Sequence, residues 1–154
     1  MELNQIITPQ TIVGDLKSNS KKQVLQALAH VAAPVVGFDE HAVFETLLER
    51  ERLGSTGVGN GVAIPHGKLP GTKRIVGVFA RNTKPIAFDA IDDQPVDLFF
   101  MLLAPEGSGA DHLKALSRIA RVLRDQTTLS RLRSTHDVDM LHEVLTAQQN
   151  ASAA

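Results

Sequence analysis

The sequence predicts an α/β domain: a three-layer sandwich in which a mixed sheet of about five strands carries helices on both faces. Three observations support this. Helical and strand patterns alternate through most of the chain, and helices alone close it. The run Val96–Ala104 is apolar except for Asp97 and is bounded by Pro95 and Pro105. It reads as a central strand covered on both faces, since prolines at both ends disfavour a buried helix. Several connections between strand patterns are too short for a crossover helix, so the sheet is mixed.

The elements follow in order. Gln5 to Leu16, with Ile12-Val13 near Pro9 and Gly14, suits an extended segment at the sheet's margin. Ser20-Lys21-Lys22-Gln23 fits a capping box, and Val24, Leu25, Leu28, Ala29, Val31 and Ala32 continue at helical spacing until Pro34. Asp39 caps a second helix with Val43, Phe44, Leu47 and Leu48 on one face, stopped at Gly54. Val62-Ala63-Ile64 is a short buried strand, and Lys68-Leu69-Pro70-Gly71 a turn. Ile75–Ala80 is a strand buried on both faces, and Pro85–Asp89 a further short strand. Ser108 opens a third helix with Asp111 as its reciprocal cap partner and Leu113, Leu116, Ile119, Ala120 and Leu123 as its buried stripe. Two shorter helices follow, near Thr128–Arg133 and Val138–Leu145. Residues 1–147 therefore form one domain, and 148–154 a small, polar tail expected to fray.

At 154 residues and 43% apolar content, the chain has enough material for one substantial core. A net charge of −1 and a pI near 6.6 provide no basic field for nucleic acid. No basic amphipathic stretch points to a membrane surface, and the apolar runs are too short to span one. Small molecules or proteins are the expected partners. There is no cysteine, hence no disulfide and no thiolate metal site. The N-terminus lacks a secretory pattern, so the expected location is the cytoplasm, without stable membrane insertion.

The chemistry concentrates at Gly54 to Gly67. Four glycines in eight residues (Gly54, Gly57, Gly59, Gly61) lead through Val62-Ala63-Ile64 and Pro65 to His66, with Gly67 leaving the flank of the ring open. Pro65 fixes the backbone just before the imidazole, which suits a histidine that must be both aimed and reachable. The stretch has no lysine followed by Ser or Thr where a P-loop needs one, and its glycine spacing misses the dinucleotide fingerprint. Six histidines include no His-x-x-x-His pair, and no serine sits in Gly-x-Ser-x-Gly. No metal, nucleotide or other cofactor is expected. His30, His41, His136 and His142 read as surface or helix histidines. His112 falls in the first turn of the third helix, after the central strand, where open α/β sheets place their sites. Arg50, in the last turn of the second helix, adds a cation. Together His66, His112, Arg50 and a helix N-terminus describe a small site for a doubly charged oxyanion.

The run Arg50-Glu51-x-x-Gly54-Ser55-Thr56-Gly57-Val58-Gly59-Asn60-Gly61-Val62-Ala63-Ile64-Pro65-His66-Gly67 resembles the signature of enzyme IIA of the mannitol/fructose class of the bacterial phosphoenolpyruvate-dependent phosphotransferase system. It most resembles the nitrogen-related enzyme IIA. The likeness continues through Pro85–Asp92, Gln94–Leu98 and His112-Leu113, so it spans nearly the whole chain. The resemblance implies that His66 is phosphorylated through Nε2 by an HPr- or NPr-type phosphocarrier protein, with Arg50 and His112 flanking it. It also implies that Ser55, Thr56, Gly59, Asn60, Gly61 and Gly67 form the loop of the phosphoryl site.

The physics of phosphoryl transfer agrees, since it demands alignment and neutralisation of the equatorial oxygens. With an ordinary pKa of about 6.5, roughly three quarters of an imidazole is neutral and nucleophilic at pH 7. A backbone carbonyl is expected to hold Nδ1–H of His66 and free Nε2. Sugar-transporting members often carry a carboxylate where Asn60 stands, and no IIB or IIC module is fused here. Both favour a regulatory member acting on potassium-transporter or sensor-kinase targets. A stand-alone fructose- or mannitol-specific IIA and a binding-only interaction module are the alternatives.

Overall fold

The computed structural model describes residues 2–153, the last six by backbone alone; the tail expected to fray from 148 lies in the backbone of the last helix, which runs to Ala153. Six strands form one mixed sheet: β1 (Ile12–Leu16), β2 (Gly57–Gly59), β3 (Val62–Ala63), β4 (His66–Lys68), β5 (Val76–Ile86) and β6 (Val96–Ala104). Five helices surround it: α1 (Lys21–Val36), α2 (Glu40–Arg52), α3 (Gly109–Val122), α4 (Gln126–Arg133) and α5 (Val138–Ala153). Two short 3-10 turns, Leu3–Gln5 and Pro9–Thr11, precede β1.

The strand order is β1-β5-β6-β3-β2, with β4 also paired to β6. β6 is the central strand the apolar run predicts. It pairs antiparallel with β5 on one edge and parallel with both β3 and β4 on the other. Its side chains alternate between two cores. Leu98, Phe100, Leu102 and Ala104 pack with α3, α4 and α5, whereas Phe99, Met101 and Leu103 pack with α1 and α2. The sandwich thus has helices on both faces.

The sheet contains β2 and β4 beyond the expected strands, β4 because Pro65 divides the Val62–Lys68 stretch into two short pairings. The Asn60-Gly61 pair joins β2 to β3 as a tight hairpin turn, with φ of 58° and 76° at the two residues. Both are positive, as a type I′ turn requires, and this Asn-Gly signal is legible in sequence. Pro85–Asp89 is not a separate strand: Pro85 and Ile86 end β5, and the chain then leaves the sheet. Lys68 belongs to β4 rather than to the turn that follows.

Helix boundaries show where local chemistry prevails and where packing does. Ser20 caps α1 by accepting from the Gln23 N–H at 3.2 Å, but the Gln23 side chain accepts from Asn19 rather than from Ser20. α1 continues through Pro34 to Val36, because Val36 and Phe38 pack on the α1–α2 side and Gly37 caps the helix in the left-handed conformation. Asp39 caps α2 through the Ala42 N–H as expected. Ser108 does not cap α3; its hydroxyl donates to the Pro105 carbonyl at 2.8 Å, and no reciprocal bond from Asp111 forms. The buried stripe of α3 keeps Ile119 and Leu123 of the predicted set, with Leu116 and Ala120 half-buried against the same core, and adds His112, Ala115 and Val122; Leu113 is instead 68% exposed. Among the described residues no helix is long and apolar enough to cross a membrane.

Phe99 is fully buried on β6, its ring centroid 5.4 Å from that of Phe88. Phe99→Ala is expected to lower unfolding free energy by about 3–5 kcal/mol, read from urea denaturation.

Candidate active site

His66 opens β4 opposite Leu102 of β6, so its side chain lies on the α3 side of the sheet; Gly67, opposite Leu103, faces α2. Gly67 does not serve to clear the flank of the ring: a Cβ there would meet Thr46 Cγ2 of α2 at 2.7 Å, so the glycine lets strand and helix close on each other. The His66 Nδ1 lies 2.7 Å from the Ile64 carbonyl oxygen. A carbonyl only accepts, so Nδ1 carries the proton and the neutral ring leaves its Nε2 lone pair free. This is the arrangement expected from the sequence. Pro65, between the two, fixes the backbone, and its own carbonyl accepts from the Leu102 N–H at 2.9 Å.

His112, on the first turn of α3, places its ring centroid 5.8 Å from that of His66, the planes 83° apart. It is buried, and its Nδ1 has no hydrogen-bond partner among the described residues. Orphaned buried donors are rarer than orphaned acceptors, which favours a neutral ring whose proton sits on Nε2. Arg50 is held at the end of α2 by donating from Nη1 to the Gly54 carbonyl at 2.9 Å.

Burial pushes the pKa of His66 below its ordinary 6.5; the Ile64 hydrogen bond opposes this, Arg50 lowers it further and Glu51 raises it. His112 is also pushed down, first by burial and then by the proximity of His66 and Lys68. The site therefore keeps two neutral imidazoles beside the Arg50 and Lys68 cations, an environment built for an arriving anion. Among the described residues no three His, Asp or Glu side chains gather as a metal site would require.

The loop residues divide. Thr56 is tied to the segment that leads into His66, its carbonyl accepting from the Ile64 N–H at 3.0 Å, while the Ser55 hydroxyl donates to the Phe88 carbonyl at 2.7 Å. Gly59, Asn60 and Gly61 do not join them. They form the hairpin tip before Val62, which pairs with Leu98, four residues from the Leu102 that faces His66. At about 3.3 Å per residue that separation is roughly 13 Å or more. There the Asn60 N–H donates to Asp92 at 3.1 Å and its carbonyl accepts from Arg133 at 2.6 Å.

Two residues near the histidines were not singled out by the sequence reading. Lys68 lies two residues beyond His66 on the same strand, and period-two alternation puts it on the same face. Glu51 is buried at 6% exposure in the last turn of α2, where a carboxylate opposes the helix dipole; that misplacement was its signal.

Comparison with known proteins places this geometry. The sequence profile of the EIIA 2 family, described as phosphoenolpyruvate-dependent sugar phosphotransferase system, matches residues 5–148. The chain is 57% identical over 145 residues to the nitrogen regulatory protein of Bradyrhizobium diazoefficiens, covering 94% of this chain and 95% of that one. It is 44% identical over 147 residues to the nitrogen regulatory protein of Klebsiella oxytoca, covering 95% and 91% of the two chains. The crystal structure of nitrogen regulatory protein IIA-Ntr from Neisseria meningitidis superposes with a TM-score of 0.90 at 36% identity, covering 94% of this chain and 99% of that one.

Histidine titration followed by NMR should give midpoints below 6.5 for both His66 and His112, and Arg50→Gln should raise that of His66. With both folded-state values depressed, the linked stability is complete above the ordinary value of 6.5 and is lost as pH falls through the folded midpoints. Urea midpoints should therefore decline on acidification below that value, and less so in His112→Gln. A flat profile in the wild type would contradict this.

Proposed function

The chain belongs to the EIIA 2 family of the phosphoenolpyruvate-dependent sugar phosphotransferase system, and from that premise we propose that His66 takes a phosphoryl group from the phosphohistidine of an HPr- or NPr-type carrier. A phosphotransfer role follows from the family; the acceptor atom and the donor are the proposal. The observation that carries it is the 2.7 Å contact of His66 Nδ1 with the Ile64 carbonyl, which leaves Nε2 as the one nucleophilic nitrogen of a fixed ring. In the transfer, the Nε2 lone pair forms the new N–P bond while the carrier's N–P bond breaks and its electron pair returns to the carrier imidazole.

The planar phosphoryl group in transit spreads its charge over three equatorial oxygens. Arg50, anchored by Gly54, offers a preorganised fork to them, and an Nε2–H of His112 offers a further donor. No bound metal enters this step. The phosphorylated ring gains a charge of about −2 at the surface, a reversible change that a partner protein can read.

The relatives named nitrogen regulatory proteins, together with Asn60 in place of a carboxylate, support a regulatory output in the cytoplasm, through phosphorylation-dependent binding of potassium-transporter or sensor-kinase targets. The second reading, a fructose- or mannitol-specific IIA that passes the group to a IIB partner, is supported by the sugar system in the family's description.

Incubation with phosphoenolpyruvate, enzyme I and an HPr-type carrier should yield an acid-labile, alkali-stable phosphate that is absent from His66→Ala. Full labelling of that variant would remove His66 from its role. Arg50→Ala should slow phosphorylation by about 10²–10³-fold, the scale on which loss of one charge-stabilising donor acts; a wild-type rate would reduce Arg50 to a helix-end charge. Transfer onward to a mannitol- or fructose-type IIB would favour the sugar reading over the regulatory one.

A further inference from the structure

The end of α2 buries a carboxylate that the transfer step does not use. The side chain of Glu51 is 2% exposed and pairs with Lys21 Nζ of α1 at 2.8 Å. It sits at the helix end where negative charge is least favoured. A buried ion pair is weak evidence of stability, since two well-packed apolar residues often serve as well. What an apolar pair could not do is orient polar groups. The Glu51 carboxylate accepts from the Thr56 N–H at 3.2 and 3.3 Å and from the Thr56 hydroxyl, so both donors of Thr56 end on it.

The hydrogen bonds continue toward the site. The Thr56 carbonyl accepts from the Ile64 N–H at 3.0 Å, and the Ile64 carbonyl accepts from His66 Nδ1 at 2.7 Å. We propose that Glu51, paired with Lys21, is a positioning residue that fixes the His66 imidazole through Thr56 and Ile64. With its two donors on one carboxylate, Thr56 cannot rotate. The Ile64 peptide is then held on its N–H side by Thr56, so its carbonyl stays aimed at Nδ1 and locks the tautomer that frees Nε2. Lys21, paired with the carboxylate at 2.8 Å, holds it in place beside both donors. The proximity of Glu51 to His66 agrees, since the carboxylate raises the basicity of the ring.

The inference rests on His66 being the phosphoryl acceptor, and its test separates the two claims. The ¹⁵N shifts of the His66 ring, measured on unphosphorylated protein, report which nitrogen carries the proton. In wild type and in Thr56→Ser, which retains both donors, Nδ1–H should predominate. In Thr56→Val, which loses the hydroxyl, and in Glu51→Gln, which loses the charge, both tautomers should be populated. Phosphorylation by the carrier should fall at least about tenfold in these two variants and stay within about twofold of wild type in Thr56→Ser.

Urea unfolding of each variant separates this from a purely structural pair. Lower stability in Thr56→Val and Glu51→Gln with an unchanged His66 tautomer and transfer rate would overturn the proposal. Should Glu51→Gln fail to fold, the Thr56 pair decides alone. A wild-type protein with the Nδ1–H tautomer that takes up no phosphate would overturn the reading of His66 as acceptor, while the ring shifts still judge the positioning chain.

Discussion

The edge of β6 that faces β3 and β4 imposes the constraint on which the site depends. Two short strands share that edge in series; between them the Pro65 carbonyl still accepts from Leu102 of β6, while the Ile64 carbonyl is taken by His66. A single continuous strand would have spent the carbonyl of Ile64 on pairing or on solvent. Because the strand is interrupted, that carbonyl turns to His66 Nδ1 at 2.7 Å. A break in regular structure thus selects the tautomer of the reactive ring. The register of β4 on β6 does the rest, sending His66 toward α3 and Gly67 toward α2.

Around that ring the charges are arranged for an anion that comes and goes. His66 and His112 are both kept neutral, chiefly by burial. A neutral pair avoids the repulsion two imidazolium rings would suffer at 5.8 Å. Permanent positive charge is left to Arg50 and Lys68, at the ends of α2 and β4. The one carboxylate close by, Glu51, is neutralised by Lys21 and turned to Thr56, so it adds little repulsion toward a phosphoryl group.

The glycine-rich stretch that marks the site in sequence has several physical purposes in the fold. Gly57 lets the segment at Ala90 come within reach of β2, where a Cβ would meet Ala90 at 2.7 Å. Gly61 completes the turn with Asn60, at a tip tied down by Asp92 and by Arg133 of α4. The start of the stretch, at Thr56, bonds to Ile64, two residues before His66. Glycines close in sequence to a reactive histidine thus serve mainly to fold the hairpin that delivers it.

The sequence by itself determined what depends on local pattern and composition. The nine apolar residues of β6 between two prolines, the caps at Ser20 and Asp39, and the Pro65-His66-Gly67 run each carry their reason within a few neighbours. So does the family, whose signature is contiguous from Arg50 to Gly67. Tertiary structure alone decided whatever depends on residues distant in the chain. The continuation of α1 through Pro34 depends on packing at Val36 and Phe38, and the seating of α3 that buries His112 and exposes Leu113 depends on the sheet beneath it. Asn60 parts from His66 because strand register, which spacing along the chain does not encode, places them at different ends of β6. Glu51 reads as a helix-end charge until Lys21 and Thr56 close on it, since burial and pairing are properties of the folded neighbourhood rather than of the residue.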